Sequence, residues 1–279
     1  MNHPATTRSV VLNGEVIAAA DARISPLGDG FMYGLGLFET IKVLDGRLVF
    51  FPEHAERLGR SAAELGLVLA ISREELHARC RQCIGANALR DAALKLVVYQ
   101  SPGGVGELIV PGRNLYPSEL YARGFRLKTM RENGRNHELS GHKTLNYLKC
   151  IRAKRGAEAS GFDEALFVAA DGAVLEGAIS NVFVVKDGLV HTPSLAQGIL
   201  PGIARAAVLR LLIAEPVDEG AIPGALLLAA DEVFVTNSLL GVMPVGRVDE
   251  RSYDLSCNPV TTGIRERFRA LELKSASAE

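Results

Sequence analysis

Four Asx-Gly pairs, Asn13-Gly14, Asp45-Gly46, Asp171-Gly172 and Asp187-Gly188, punctuate short apolar runs. Such pairs accept the positive φ angles of two-residue hairpin turns, so each predicts two antiparallel strands meeting tightly. Residues 10–17 read as one hairpin, and residues 38–43 with 47–51 as another. Residues 93–99, 125–130, 164–169, 182–185, 189–192 and 232–236 are further apolar runs of strand length. Helical spacing of Leu58, Ala62 and Leu65 predicts a helix from Pro52, where a missing N–H costs nothing. Ser72 and Glu75 form a capping box for a second helix. More helices are expected from about Thr144, over 203–214, 225–230 and 260–271. Pro and Gly in 101–117 predict a loop. Strands dominate and helices are segregated, so the expected class is α+β in two domains. These are residues 1–118 and 127–279, with 119–126 as linker.

The 279 residues carry a net charge of −1, without the basic stripe that nucleic acid or a membrane surface would call for. No apolar run approaches the roughly 18 residues of a spanning helix. The polar start, Met1 to Arg8, lacks the apolar centre of a signal peptide. A cytoplasmic protein is expected, with neither nucleic acid nor membrane as partner. Cys80 and Cys83 form a C-x-x-C on one face of the second helix. No second such pair or paired histidines complete a zinc site, so reduced, partly buried thiols and no metal are expected. Cys150 and Cys257 have no sequence partner. Glycines 28, 30, 34 and 36 bend the chain or let a ligand approach it. A strand follows them, whereas a dinucleotide loop requires a helix.

The chemistry gathers around Ser140-Gly-His-Lys-Thr-Leu-Asn-Tyr-Leu148. A lone lysine such as Lys143 is ordinarily a solvated charge, and Arg57 or Glu176 taken singly read as surface residues. Gly198-Ile-Leu-Pro-Gly-Ile-Ala-Arg205 is more telling, because it is a turn opening a helix. Free N–H groups at a helix start bind phosphate, aided by the helix dipole. Asp231 to Ser238 is a strand ending in small hydroxyl and amide residues that can donate to the same anion.

Taken together, these segments resemble the class IV aminotransferases, the pyridoxal 5′-phosphate (PLP) enzymes of fold type IV. The matching motifs are H-x-x-R-L at Arg57, H-K-T-L-N-Y-L at Lys143, E-G-x-x-S-N-V-F at Glu176, G-I-L-P-G-I-A-R, and T-N-S-L-L-x-V-M-P-V from Thr236. The resemblance runs from about Val11 to Arg269. It implies that Lys143 carries PLP as a Schiff base and moves the substrate proton. Glu176 is implied to pair with the pyridinium nitrogen, which keeps the ring an electron sink. Arg57, Ser238 and the amides of Ile203 and Ala204 are implied to hold the phosphate, with Leu200 on the ring face and Tyr147 on the ring 3′-oxygen. A homodimer acting on a small amino substrate is implied too, with its active site at the domain boundary and loop 101–117 at the rim.

There are departures. Ala204 stands where many members have Thr. Gln100 stands near the position where aminotransferases of the class often carry an arginine for a substrate carboxylate. Lys42 or a residue of a second subunit is the expected substitute. The lysine motif, the T-N-S motif and Phe38-Glu-Thr40 look most like lyase-type members, which eliminate pyruvate from 4-amino-4-deoxychorismate to leave p-aminobenzoate. A branched-chain or broader amino-acid aminotransferase, which needs a 2-oxo acid acceptor, is the alternative.

Overall fold

The computed structural model describes residues 8–132 and 137–277. The start of the polar N-terminal stretch, residues 1–7, lies outside them. Two units divide the chain. The first comprises residues up to Leu115, then His142–Asn146, then Glu272 onward; the second comprises Tyr116–Gly141 and Tyr147–Leu271. Lys143 therefore belongs to the first unit, although it follows the expected linker in sequence.

In the first unit, β1 (Ser9–Leu12), β2 (Glu15–Ala18), β3 (Gly36–Leu44), β4 (Arg47–Leu48), β5 (Ala92–Ser101) and β6 (Gly104–Asn114) form a sheet of order β2-β1-β6-β5-β3-β4. All its pairs are antiparallel. The expected turns hold: Asn13 and Gly14 have φ 50° and 87°, Asp45 and Gly46 48° and 77°. A one-turn helix α1 (Asp29–Tyr33) precedes β3, and α2 (Phe51–Glu64) and α3 (Arg73–Ala86) complete the unit. Leu37, Ile41 and Val43 of β3 pack with Leu58 and Ala62 of α2 and Leu76, Cys80 and Cys83 of α3. Neither thiol is in a disulfide, both residues are fully buried, and burial pushes the Cys83 thiol up to about 12. Ser72 accepts from the Glu75 N–H at 3.1 Å. Glu75 itself turns to Arg79, so only half of the capping box forms.

One expectation fails here. Residues 104–114 are strand, not loop, because β6 pairs along the length of β5. Pro111 and Gly112 sit where the register slips between Ala92 and Leu94, and a bulge tolerates a residue without an N–H. The 119–126 stretch carries most of α4 (Ser118–Arg123) and the start of β7 (Phe125–Arg131).

The second unit continues with α5 (His137–Ser140), α6 (Leu148–Ala159), β8 (Glu164–Val168), β9 (Ala173–Gly177), β10 (Asn181–Lys186), β11 (Leu189–Pro193), α7 (Ile203–Leu211), β12 (Val217–Gly220), β13 (Ile222–Pro223), α8 (Gly224–Leu228), β14 (Glu232–Asn237), β15 (Gly241–Val248), β16 (Arg251–Ser252) and α9 (Pro259–Ser277). Its sheet runs β12-β11-β10-β14-β15-β7-β8-β9-β13, with β16 paired to β15. Among the described residues, β11–β12, β15–β7 and β7–β8 are the parallel pairs. Val182, Val184, Val233, Val235, Met243 and Val245 form the centre of its core. The α+β class is as the sequence predicts. Among the described residues no helix is long and apolar enough to cross a membrane.

Candidate active site

In the first unit the lysine stretch is extended, not helical as expected, and α6 begins only at Leu148. Phe38 N–H donates to the Lys143 carbonyl at 2.9 Å, and Leu145 N–H to the Gly36 carbonyl at 2.9 Å. Thr144 thereby bridges Leu37 like one residue of an added strand. This explains a glycine: a Cβ on Gly36 would meet Leu145 Cδ1 at 2.7 Å and the Val98 carbonyl at 2.6 Å. The close approach that the glycines allow is that of the chain's own lysine segment. His142 Nδ1 lies 3.0 Å from Ser61 Oγ on α2, fixing the other side. Lys143 Nζ then rests 4.5 Å from the centroid of the Phe38 ring.

Strand alternation places Leu37, Glu39, Ile41 and Val43 on the face of β3 toward α2. Glu39 is the one charge in that row, and it is 1% exposed. Helical spacing puts His54 and Arg57 opposite it. Arg57 donates from Nε to Glu39 Oε1 at 2.8 Å and from Nη2 to Oε2 at 2.5 Å. His54 Nδ1 lies 2.6 Å from Glu39 Oε2. Burial pushes the Glu39 carboxyl up, but Arg57 and His54 outweigh it and hold the pKa at about 2. His54 is lowered by its burial, with the Arg57 and Lys143 charges adding to the effect against the pull of Glu39. A carboxylate accepts only, so the neutral imidazole donates Nδ1–H to Glu39.

In the second unit the remaining motifs are stitched together. Glu176 is the next-to-last residue of β9, and its Oε2 accepts from the Leu200 N–H at 3.0 Å and from Asn181 Nδ2 at 3.5 Å. Asn181 also donates to the Leu200 carbonyl at 3.0 Å. Asn237 donates to the Ile179 carbonyl at 3.1 Å while its Oδ1 accepts from Leu239 and Leu240 N–H at 2.9 and 2.8 Å. Ile203 and Ala204 open α7 behind Gly202, which supplies no capping side chain. Ser238 follows the end of β14. The Tyr147 hydroxyl donates to the Ala178 carbonyl at 3.1 Å. Burial first, and then Cys150, Glu176 and Glu164, raise its pKa, so the phenol stays protonated. Arg205 lies in the matched motif but pairs with Glu219 at 2.7 Å and the Pro193 carbonyl at 2.9 Å.

Behind the Glu176 turn lies Glu164, wholly buried on β8. Its Oε1 accepts from the Ile179 N–H at 2.7 Å and from Ser180 Oγ at 2.9 Å, while Oε2 is buried without a partner. Burial raises its pKa to about 7 against those two bonds and Lys154, with nearby Glu176 adding to the rise. A Cβ on Gly177 would collide with Ser180 Oγ and Glu164 Oε1, so the second letter of the E-G motif is set by this carboxyl.

The structure thus gathers Lys143 and Arg57 in the first unit, and Tyr147, Glu176, Leu200, Ile203, Ala204 and Ser238 in the second. Sequence reasoning quoted Phe38-Glu-Thr40 but gave Glu39 no partner, and it passed over Glu164. The signal for Glu39 was a charge on the apolar side of an alternating strand. Lys42 is not an available carboxylate anchor: it is buried against Glu272, Nζ to Oε1 2.5 Å.

The family model for amino-transferase class IV matches residues 36–248. The chain belongs to the class IV aminotransferase family. A Methanocaldococcus jannaschii protein, to which branched-chain-amino-acid aminotransferase activity is ascribed, is 32% identical over 281 residues, spanning 95% of this chain and 96% of that one. The aminodeoxychorismate lyase of Bacillus subtilis is 29% identical over 272 residues, 92% of each chain. The D-alanine aminotransferase of Bacillus licheniformis is 30% identical over 270 residues, 92% of this chain and 94% of that one. Among solved structures, the branched-chain aminotransferase of Thermoproteus uzoniensis with norvaline aligns with a TM-score of 0.87 at 29% identity, covering 96% of this chain and 95% of that one.

Class IV aminotransferases use PLP. A second solved branched-chain aminotransferase, this one with pyridoxamine 5′-phosphate, aligns with a TM-score of 0.87 at 25% identity, over 96% of this chain and 95% of that one. The residues here fit such a cofactor. Glu176 is an aligned carboxylate of the kind a pyridinium nitrogen needs. Uncapped N–H groups at the start of α7 suit a phosphate. The Thr236 hydroxyl, buried without a partner at the end of β14, is a further donor there.

Proposed function

We propose that this chain is a PLP-dependent 4-amino-4-deoxychorismate lyase that eliminates pyruvate and leaves p-aminobenzoate. One observation carries the choice. Gln100 spends its amide on the β5–β6 turn, donating from Nε2 to the Ser101 carbonyl at 3.0 Å and the Gly104 carbonyl at 3.3 Å. The last residues of β5, Gln100 and Ser101, carry no guanidinium, so this strand end does not supply the two-pronged grip that arginine gives an α-carboxylate. The lyase needs no acceptor acid and gains from aromatisation of its product. The B. subtilis lyase relative supports the same reading.

When bound, PLP supplies the electron sink for the carbon that bears the substrate amine. Lys143 would hold the cofactor through its amine and move the proton at that carbon. Glu176, aligned by Leu200 and Asn181, would keep the pyridine nitrogen protonated. Arg57, Ser238 and the Ile203 and Ala204 amides would bind the phosphate, Leu200 would pack on the ring, and Tyr147 would serve the 3′-oxygen. A homodimer in the cytoplasm is proposed as the working form. Exposed Leu27, Phe31, Met32 and Tyr33 on the first unit support it, at 82%, 67%, 57% and 71% exposure. Light scattering that finds a stable active monomer excludes it.

The branched-chain aminotransferase reading is favoured by the M. jannaschii and T. uzoniensis relatives. Supplying 4-amino-4-deoxychorismate alone separates the two. The lyase releases p-aminobenzoate and pyruvate over many turnovers and bleaches only slowly with leucine. Rapid bleaching by leucine, reversed by 2-oxoglutarate, overturns it. Lys143→Ala should abolish either reaction, and Glu176→Gln should keep the fold while costing kcat several factors of ten, each about 1.4 kcal/mol of barrier.

A further inference from the structure

Glu164 is a buried ionisable group that the proposed reaction leaves unused. Ala178, Ile179 and Ser180 join β9 to β10, with Glu176 and Gly177 closing the first strand and Asn181 opening the second. Glu164 Oε1 accepts from the Ile179 N–H at 2.7 Å and from the Ser180 hydroxyl at 2.9 Å. The carbonyls of the same connection are held as well. Ala178 accepts from the Tyr147 hydroxyl at 3.1 Å, and Ile179 from Asn237 Nδ2 at 3.1 Å. At its two ends Glu176 and Asn181 share Leu200, one on its N–H and the other on its carbonyl. One carboxyl oxygen thus fixes the connection on which Glu176, Asn181, Tyr147 and Asn237 are aligned.

An amide at this position would accept the same two bonds without ever burying a charge. What the carboxyl adds is Oε2, which is shut off from water and, among the described residues, has no donor. Lys154 of α6 pulls on the carboxyl but is itself paired with Glu158. Tyr147, ahead of α6, is a protonated phenol, and Cys150 acts on that phenol. Strand β7 sets Leu127 beside Glu164. Strand β9 brings the Glu176 charge, which opposes a second one. A cation placed against Glu176 would remove that opposition.

We propose that Glu164 is a positioning residue for Glu176, holding the turn beside it and supplying a second negative charge behind it once a cationic ring nitrogen is bound. This rests on the PLP reading of Glu176. Without a cofactor ring, burial and then the Glu176 charge keep the Glu164 carboxyl protonated up to about pH 7. A pyridinium paired with Glu176 cancels the repulsion, so the Glu164 proton leaves more readily. The linkage is reciprocal: the factor by which the ring makes Glu164 more acidic is the factor by which ionised Glu164 tightens the ring's binding. At acid pH Glu164 is neutral with or without the ring and contributes nothing. Its contribution grows as pH rises and is complete above pH 7.

The test is calorimetric titration of the cofactor-free protein with pyridoxamine 5′-phosphate, which makes no bond to Lys143, at pH 5 and pH 8.5. Between the two, the wild type should gain roughly 5- to 10-fold more affinity than Glu164→Gln does. At pH 5 the two should bind alike, because the carboxyl is then as neutral as the amide. Ser180→Ala, which takes one donor from Oε1, should move the wild-type rise to higher pH. Adding Glu164→Gln to Glu176→Gln should change nothing, because the ring nitrogen is then no longer held as a cation. A purely structural Glu164 gives a different pattern, an affinity loss in Glu164→Gln that is equal at both pH values. That pattern, or an undiminished effect in the Glu176→Gln background, would overturn the assignment. A wild type that binds neither pyridoxamine 5′-phosphate nor PLP removes the parent reading, and this one with it. A wild type that binds both, with a pH profile that Glu164→Gln reproduces, removes this one alone.

Discussion

Glu39 in the first unit and Glu164 in the second are both shut off from water, at 1% and 0% exposure, yet one carboxyl is held at about 2 and the other raised to about 7. Desolvation pushes both up. Glu39 meets a guanidinium that bonds both its oxygens and an imidazole that bonds one of them. Glu164 meets a backbone N–H and a hydroxyl on one oxygen and nothing on the other. Neutral donors do not repay the burial of a full charge, whereas a buried cation with matching geometry does. Glu39 is therefore a fixed anion that orients Arg57, while Glu164 can be neutral at physiological pH behind the turn that carries Glu176.

The largest break in this comparison is Glu39→Gln. It takes the shared carboxylate from two buried basic groups and should cost roughly 3–5 kcal/mol in urea denaturation. Glu164→Gln at pH 5 should cost under about 1 kcal/mol, because the carboxyl it replaces is already neutral there. Comparable losses in the two variants would erase the distinction.

The pH dependence of stability sharpens it next, with opposite signs. Glu39 has a folded pKa below its ordinary 4.5, so its stabilisation is complete above pH 4.5 and is lost as pH falls toward 2. Glu164 has a folded pKa above 4.5, so its contribution is complete below pH 4.5 and is lost as pH rises through 7. Each swing is on the order of 3 kcal/mol. His54, lowered by burial, adds an opposing rise as pH climbs toward its ordinary 6.5. The wild type should therefore be compared with Glu164→Gln point by point: the difference should change between pH 4.5 and 7 and stay flat between 2 and 4.5. A flat difference throughout would mean that Glu164 titrates as an ordinary carboxyl. The smallest effect is Ser180→Ala, which removes one of the two donors to Glu164. It should cost about 1 kcal/mol and move the alkaline fall to higher pH.

What could be read from the sequence was local. The hairpins at Asn13-Gly14 and Asp45-Gly46 follow from residues that accept positive φ, and α2 from an apolar stripe behind Pro52. Strand β6 was hidden by its Pro and Gly, because pairing with β5 overrides composition. The Lys143 segment reads as the start of a helix, and what makes it extended is Gly36, more than a hundred residues earlier. Arg57 was singled out, but its partner Glu39 lies on another element, and only the alternation of β3 shows that this charge faces inward. Glu164 gave no signal: Glu-Ala-Leu-Phe-Val is an ordinary strand, and its peculiarity arises from Ser180 and Ile179 closing over it.

The Lys42–Glu272 pair has a consequence for synthesis. The two residues are 230 apart in the chain. Strand β3 leaves the ribosome early, before the strand β5 that it pairs with, and it carries Lys42. At about 5–20 residues per second, its counter-ion is made roughly 10–50 s later. His142–Asn146, which the first unit also takes in, arrives part-way through that wait. Translation thus yields the first unit unfinished, with a lone cation on an inner face. The end of α9 both neutralises that cation and, through Ser275 at 2.8 Å from the Phe50 N–H, secures the chain where it turns into α2.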